Sequence, residues 1–513
     1  MLTLLATASQ SLSPEVNALE YRRRIRAWTL YDWANSAFAT TIMAAVLPVF
    51  YSQVAGATLP SPAVATAYWS AGLSASLLIV ALLSPLLGTL SDVMRAKKRF
   101  LASFCGLGVV ATALLALVNT GDWLFATVLF ILGRIGFVAA NIFYDAMLPH
   151  VARPEDRDAV SAQGFAFGYL GGGLLLALNL WMIQTLPGTW GTKLTFLSVA
   201  LWWAVFSIPL LRQVPEPPAA TARLAPGGAV LSASFKRLWE TFKDIQRYRE
   251  LFKGLVAFLI YADGIGTIIS LAAIYGAELG FGAEQLILAL LVVQFAGIPY
   301  SLIFGRLPDH KDNRQPIYLA LIVFNVIALP LVGIGGAKLL PPAYQNSIAA
   351  ILGLILLVEV GCLLLAFLLG RRLFSGLAAR MDTKGGILLA LGVYAVIAIW
   401  GYFIGSVIEF WCIAWMVALV QGGSQALSRS LFSSMVPAGK SGEFFGIVSV
   451  MEKFSAILGP LIFVLTTALL GSSRPAVLSI LLFFVVGGAL LYRVDVKAGQ
   501  RVAQAEDAEL LAL

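Results

Sequence analysis

Charge is scarce in this sequence. Only 12% of its 513 residues are Asp, Glu, Lys or Arg, about half the usual share of a soluble domain, so a large water-soluble globule is excluded. Cysteine is nearly absent: Cys105, Cys362 and Cys412 all fall in apolar runs, and no disulfide framework can be read from them. Histidine is reduced to His150 and His310, both in connecting loops, which rules out a His-rich metal centre; no metal and no cofactor is expected. There is no phosphate-cradling GxxxxGKS loop and no nucleophile–histidine pairing, so neither ATP drive nor enzymatic chemistry is indicated. The first twenty residues lack the basic start and the longer apolar run of a secretory signal, and the first span is expected to act as its own insertion signal.

Apolar sequence is abundant. Hydrophobic residues make up 59% of the chain, and a helix needs about 20 mostly apolar residues to cross a bilayer. The pattern predicts an all-α, polytopic membrane protein with fourteen spans: 28–53, 64–90, 100–119, 123–148, 159–185 and 190–211, then 251–275, 283–304, 317–337, 347–369, 387–404, 408–435, 443–470 and 476–492. The net charge of +8 could suggest nucleic acid, but its distribution argues against that partner. Basic residues gather in alternate connections. Only Lys193, Lys338 and Arg474 fall on the opposite side, and Arg134, Lys253, Arg429 and Lys453 lie in or at the edges of spans. This positive-inside bias places both termini in the cytoplasm, with the bilayer as partner and a plasma (inner) membrane favoured over an organelle membrane.

Five segments follow: a tail over 1–27, a six-helix bundle over 28–211, a cytoplasmic linker over 212–250, a second bundle over 251–492 and a tail over 493–513. The linker opens with a Pro-, Ala- and Gly-rich stretch. It then sets Phe235, Leu238, Trp239, Phe242 and Ile245 at helical spacing among basic residues, which fits an interfacial amphipathic helix or an ordinary surface helix equally. The halves read as a parallel repeat. Tyr31-Asp32 is matched by Tyr261-Ala262-Asp263, and Pro149 precedes Gly171 by the same interval that separates Pro437 from Gly459. The loop Gly88-Thr-Leu-Ser-Asp92 has two partial counterparts in the second half, at Gly305–Asp309 and around Ala379. Residues 317–369 therefore read as a helix pair inserted into that loop, which leaves downstream orientation unchanged.

Ionisable groups inside spans are costly and ordinarily face water or one another. Arg134, Asn141 and Asp145 fall along one face of the fourth span. Asp32 and Ser36 lie together on the first, Asp263 and Thr267 on the seventh, and Gln421, Gln425 and Ser428 on the twelfth. Glu452 and Lys453, adjacent in sequence, should not face each other; Asp32 or Asp145 is a chemical candidate for the Lys453 partner. Asp32, Asn35, Arg134, Asn141, Asp145, Asp263, Gln421, Gln425, Arg429 and Lys453 are thus the candidate substrate and proton pathway, with structural ion pairing as the alternative for any one of them. Gly164, Gly168 and Gly172 recur every helical turn on the fifth span, a spacing that lets helices approach closely.

Gly88-x-Leu-x-Asp92 followed by Arg95, Lys97, Lys98 and Arg99 resembles the signature loop of the major facilitator superfamily. Gly88, Asp92 and Arg95 are the candidate gate: a glycine for close approach, and a carboxylate to meet a cation and a facing helix N-terminus. A solvated basic loop is the plainer reading. Longer stretches are more specific. The segment 28–42 (WTLYDWANSAFATTI), Ala146-Met-Leu-Pro149 with Gly168–Gly173, and Gln421–Phe432 with Glu443–Gly446 and Lys453–Pro460 resemble the vacuolar-effluxer-like group, the autophagy-related amino-acid effluxers and their bacterial relatives. The resemblance implies the major facilitator fold of two pseudo-symmetric six-helix bundles, here with an inserted pair, and a secondary transporter of a small polar solute such as an amino acid, by alternating access. The glycine-rich fifth span also resembles an antiporter motif, with Tyr169 where proline is usual, which points toward export; proton coupling through Asp32 or Asp263 is a further expectation. Ala379, where the group has an aspartate, and the two extra spans depart from the pattern. A lipid scramblase and a non-transporting scaffold or receptor are the rival readings.

Overall fold

The structure, a computed structural model, describes residues 14–217, 246–341, 344–470 and 473–512. Most of the linker, including the amphipathic stretch around Trp239, lies outside the described residues. The first half comprises α1 (Pro14–Ala37), α2 (Pro62–Val93), α3 (Lys97–Leu114), α4 (Trp123–Ala146), α5 (Arg157–Thr185) and α6 (Trp190–Gln213). The second comprises α7 (Arg249–Glu278), α8 (Ala283–Arg306), α9 (Gln315–Leu339), α10 (Ile348–Ala378), α11 (Thr383–Phe403), α12 (Val407–Met435) and α13 (Ser441–Leu470). A last span is split into α14 (Ser473–Ser479) and α15 (Leu481–Tyr492), and α16 (Val496–Ala512) closes the chain. Among the described residues thirteen helices are long and apolar enough to cross a bilayer. The predicted span 443–470 falls within α13, part of whose side chains lie outside the description.

Each half buries its own apolar core. Trp28, Tyr31, Phe38, Phe143 and Trp203 anchor the first; Tyr261, Phe304, Tyr394, Trp411 and Phe432 anchor the second. Ile142, Ala146 and Phe445 form a small cluster on the seam between them. The outward faces of α2, α6 and α10 carry exposed Leu82, Leu201 and Leu368, as helices solvated by hydrocarbon should. The rod begun by α1 does not end at Ala37: it runs on through wider π-helical turns at Phe38–Val46 and Tyr51–Ala55, a local widening that occurs often at functional sites.

The helix pair read above as inserted packs as α9 against α10, with α9 also against α12, so α10 is the outermost helix of its half. At the end of the molecule where the basic connections gather, α16 docks beneath the turn between α12 and α13. The Asp507 carboxylate accepts the N–H groups of Ala438 and Gly439 at 2.9 and 3.0 Å. Glu506 pairs with Lys440 at 2.6 Å and with Arg247 at 2.9 Å. The predicted tail is thus a docked helix.

Candidate transport pathway

α12 is buried on nearly every side, and its sequence explains how. Gly422, Gly423 and Ala426 keep one face thin, and a side chain at Gly422 or Gly423 would collide with Ser301, Tyr169 or Phe304. Arg429 extends from this thin helix into the first half. Its Nη1 donates to Asp32 of α1 and to Asp145 of α4, each at 3.2 Å; its Nη2 donates to Asp32 at 3.2 Å and to the Ser161 carbonyl at 2.8 Å; its Nε donates to the Ser161 hydroxyl at 2.9 Å. All five guanidinium N–H groups are used. Tyr144 adds a hydroxyl to Asp32 at 2.8 Å, and the rings of Phe165, Trp28 and Tyr144 stand 4.5, 4.9 and 5.4 Å from the guanidinium carbon. A buried charge is tolerated when it is paired and fully hydrogen-bonded; here the pairing runs between the halves.

The glycine face of α5 makes this possible. A Cβ at Gly164 would strike the Asp32 carboxylate, one at Gly168 would lie 2.6 Å from the Ser36 hydroxyl, and one at Gly172 would lie 3.0 Å from Thr40. Three glycines one turn apart therefore receive three polar side chains, two on α1 and Thr40 on its π-helical continuation. Asn35 donates to Asn141 at 2.6 Å, tying α1 to α4 beside the cluster.

Not every group is sealed. Asp145 keeps 27% of its side-chain surface, and Asn141, Gln421 and Gln425 are half-buried. Glu452 of α13 is exposed. Arg134, eleven residues before Asp145 and so about 16 Å along α4, is half-buried, and its buried Nε has no hydrogen-bond partner among the described residues. Lys453 departs from expectation: its ammonium reaches Glu452 at 3.3 Å, because long side chains can bend toward each other where backbone spacing alone would point them apart, and Arg429 holds the place by Asp32 and Asp145 considered for it.

Asp263 also differs from its counterpart. It is buried in the second half, where its two oxygens accept the Gly459 N–H of α13 at 2.8 and 2.9 Å. It bonds backbone within one half, whereas Asp32 bonds a cation from the other.

At the basic end a second connection lies between α2 and α13. A Cβ at Gly88 would overlap the Gly442 carbonyl, so the two backbones touch. Asp92, fully buried, accepts the N–H groups of Gly442 and Glu443 at 3.1 and 2.8 Å, the unsatisfied donors of a helix start, and forms an ion pair with Lys97. Arg95 is not that cation. It is exposed with φ +50° and serves as the left-handed residue that ends α2. Nearby, His150 Nε2 lies 3.0 Å from the Ala438 carbonyl, and the Ser161 hydroxyl donates to the Ala426 carbonyl at 2.8 Å. Contacts between the halves continue along α5 and α8 as far as Gly173 against Phe295. Tyr144, Ser161 and Phe165 were not legible as site residues, and Lys97 was legible as part of the loop motif but not as the partner of Asp92. The first three sit in ordinary helical sequence, and only the Asp32–Arg429 pairing gives them a role.

Comparison with known proteins agrees with this architecture. The family described as "Vacuole effluxer Atg22 like" matches residues 63–347 and 351–504. The chain is 31% identical over 494 residues to the "Uncharacterized MFS-type transporter YxiO" of Bacillus subtilis, covering 95% of this chain and 98% of that protein. It is 23% identical to "Autophagy-related protein 22" of Kluyveromyces lactis, covering 80% and 75%. Among solved structures, the proton:xylose symporter XylE superposes with a TM-score of 0.58 at 14% identity, covering 93% of this chain and 96% of that one. The fucose:proton symporter FucP (N162A) gives 0.57 at 11%, covering 92% and 98%. The fold is that of the major facilitators, and by the family match over nearly its whole length and its likeness to the Bacillus subtilis protein the chain belongs to the Atg22-like vacuole effluxer family of transporters.

Proposed function

We propose that the protein carries a small polar solute, in the first instance an amino acid, by opening the seam between its halves alternately at either end. The observation that carries this reading is the Arg429 cluster: a buried arginine of one half satisfied by Asp32, Asp145 and Ser161 of the other. A bond of this kind must break when the halves part at the basic end, and a charged or protonated partner can replace it. Groups of both signs meet there, and once their bond opens Asp145 can take an ammonium and Arg429 a carboxylate, a set suited to a zwitterion. Asp32 and Asp145 are the protonatable groups at the break, so proton drive fits them better than Asp263, which Gly459 already occupies. The basic connections orient both termini toward the cytoplasm, and the glycine-rich α5, with its likeness to an antiporter motif, favours export.

A lipid scramblase needs a polar groove open to acyl chains, whereas this cluster is walled by Trp28, Tyr144 and Phe165. The test is counterflow of labelled amino acids into proteoliposomes under a pH gradient. Asp32→Asn should slow it; an unchanged rate removes Asp32 from the mechanism, and absence of counterflow for all amino acids in the wild type removes the amino-acid reading.

A further inference from the structure

The inserted pair builds a second site, away from the seam cluster. Between α8, α10 and α12 lies a cavity of about 370 Å³, walled by Phe295, Tyr300, Leu352, Leu356, Glu359 and Trp415 among others. This is at the small end of ligand pockets, which run about 300–1,000 Å³. Its wall includes exposed Leu356 and Phe295, on faces that would meet hydrocarbon. Its one ionisable group is Glu359. Counting along α10, Glu359 stands about 17 Å from Ile348 at one end and about 18 Å from Arg371 at the other, midway across the apolar layer.

The hydrogen bonds around Glu359 all point the same way. The Tyr300 hydroxyl donates to one carboxylate oxygen at 2.5 Å and the Trp415 indole N–H donates to the other at 3.3 Å. Asn325 in turn donates to the Tyr300 hydroxyl at 3.2 Å. Both carboxylate oxygens are therefore held as acceptors. Yet no lysine or arginine lies within ion-pair distance of Glu359 among the described residues. A carboxylate at mid-bilayer with donors but no counter-charge is costly, and the space beside it is apolar. A neutral hydrocarbon would leave the charge uncompensated, an anion would be repelled, and a divalent cation would lack the further oxygen ligands it needs. What complements the site is one cationic nitrogen on an apolar body.

We infer that the cavity is a binding site for a lipophilic amine entering from the bilayer, its ammonium on Glu359 and its hydrocarbon against Phe295, Leu352 and Leu356. Phe295 is also the side chain that Gly173 of α5 meets across the seam, so an occupant braces α8 where the halves touch.

The test uses the full chain in detergent with octylamine as probe and octanol and octanoate as controls, reading thermal unfolding and binding. Octylamine should raise the melting temperature of the wild type while octanol and octanoate do not, and Glu359→Gln should weaken its binding by about tenfold or more. Leu356→Trp, which keeps the carboxylate but fills the cavity from the hydrocarbon side, should abolish the shift, and it serves alone should Glu359→Gln not fold. Octanol acting as strongly as octylamine, or an octylamine response that survives either substitution, overturns the assignment and leaves Glu359 as a structural partner of Tyr300. Amino-acid counterflow by Glu359→Gln should stay at the wild-type rate, which separates this result from the fate of the seam cluster.

Discussion

Arg429 and Asp32 are separated by 397 residues of chain and 3.2 Å of space. Because they belong to different halves, the proposed opening of the basic end has to break their bond. Replacing Arg429 with Met leaves Asp32 and Asp145 buried without their cation, a loss of about 3–5 kcal/mol for a broken buried pair, borne by the closed form alone. Cys105, Cys362 and Cys412 are all buried, so a cysteine introduced at Ala426 can be followed by a membrane-impermeant thiol reagent. Labelling should be slow in the otherwise native chain and fast with Arg429→Met; equal rates would show that the pair does not hold this end.

Gly164→Ala should act on the same bond from behind. Its methyl would meet the Asp32 carboxylate and lie 2.8 Å from Arg429 Nη2, an overpacking that costs about 1–3 kcal/mol. The Ala426 cysteine should again become reactive, though less than with Arg429→Met. No change would mean that α1 and α5 shift apart without disturbing the charges.

Gly88→Ala tests the other connection. The added methyl overlaps backbone, which cannot rotate away. Spin labels on cysteines at exposed Met94 and Ala505 should report a longer and broader distance distribution than in the parent. An unaltered distribution would show that α2 and α13 can slide past each other while Asp92 stays bound.

The two pseudo-equivalent aspartates should behave differently. Asp263→Ala leaves the Gly459 N–H without its acceptor and should lower stability by about 1–3 kcal/mol. Asp263→Asn keeps a carbonyl in place and should melt near the wild type with counterflow preserved. Loss of counterflow with normal melting in Asp263→Asn would return this residue to the pathway.

Docking of α16 should fail only in acid. Burial alone would raise the Glu506 carboxyl, but the Lys440 ammonium and the Arg247 guanidinium outweigh it and hold it below its usual 4.5. A carboxylate depressed in the folded state contributes stability that is complete above its ordinary value and lost as pH falls through the depressed one. Anisotropy of a dye on Ala505→Cys should therefore stay high at neutral pH and fall only as pH drops below the ordinary carboxylate range. Glu506→Gln should lower it already at neutral pH; if it does not, Asp507 alone suffices to dock the helix.

The helical, membrane-spanning character was legible because hydrocarbon thickness leaves a direct mark on sequence, as runs such as 347–369 show. Internal repetition was legible through Asp32 and Asp263, but their different partners were not. Spacing along a helix says which residues share a face, as it did for Gln421 and Gln425, and says nothing about which face of another helix it will meet. Lys453 was assigned a distant partner because backbone spacing keeps neighbours apart, whereas its long side chain bends back to Glu452. Lys97, not Arg95, meets Asp92 because the turn after α2 needs one residue at φ +50°, and that residue is Arg95. α16 was taken as a tail because it is too short and too charged to span; it is attached by its charges together with Val496 and Val502 against the second core and buried Ala503.

The outermost position of α10 has a mechanical consequence. With two additional helices on its flank, the second half presents a wider perimeter to the surrounding lipid than the first. When two rigid bodies swivel against each other in a viscous sheet, the one with less drag sweeps through the larger angle. Relative to the plane of the membrane, then, α1 to α6 should do most of the tilting while the half that holds Glu359 stays nearly upright.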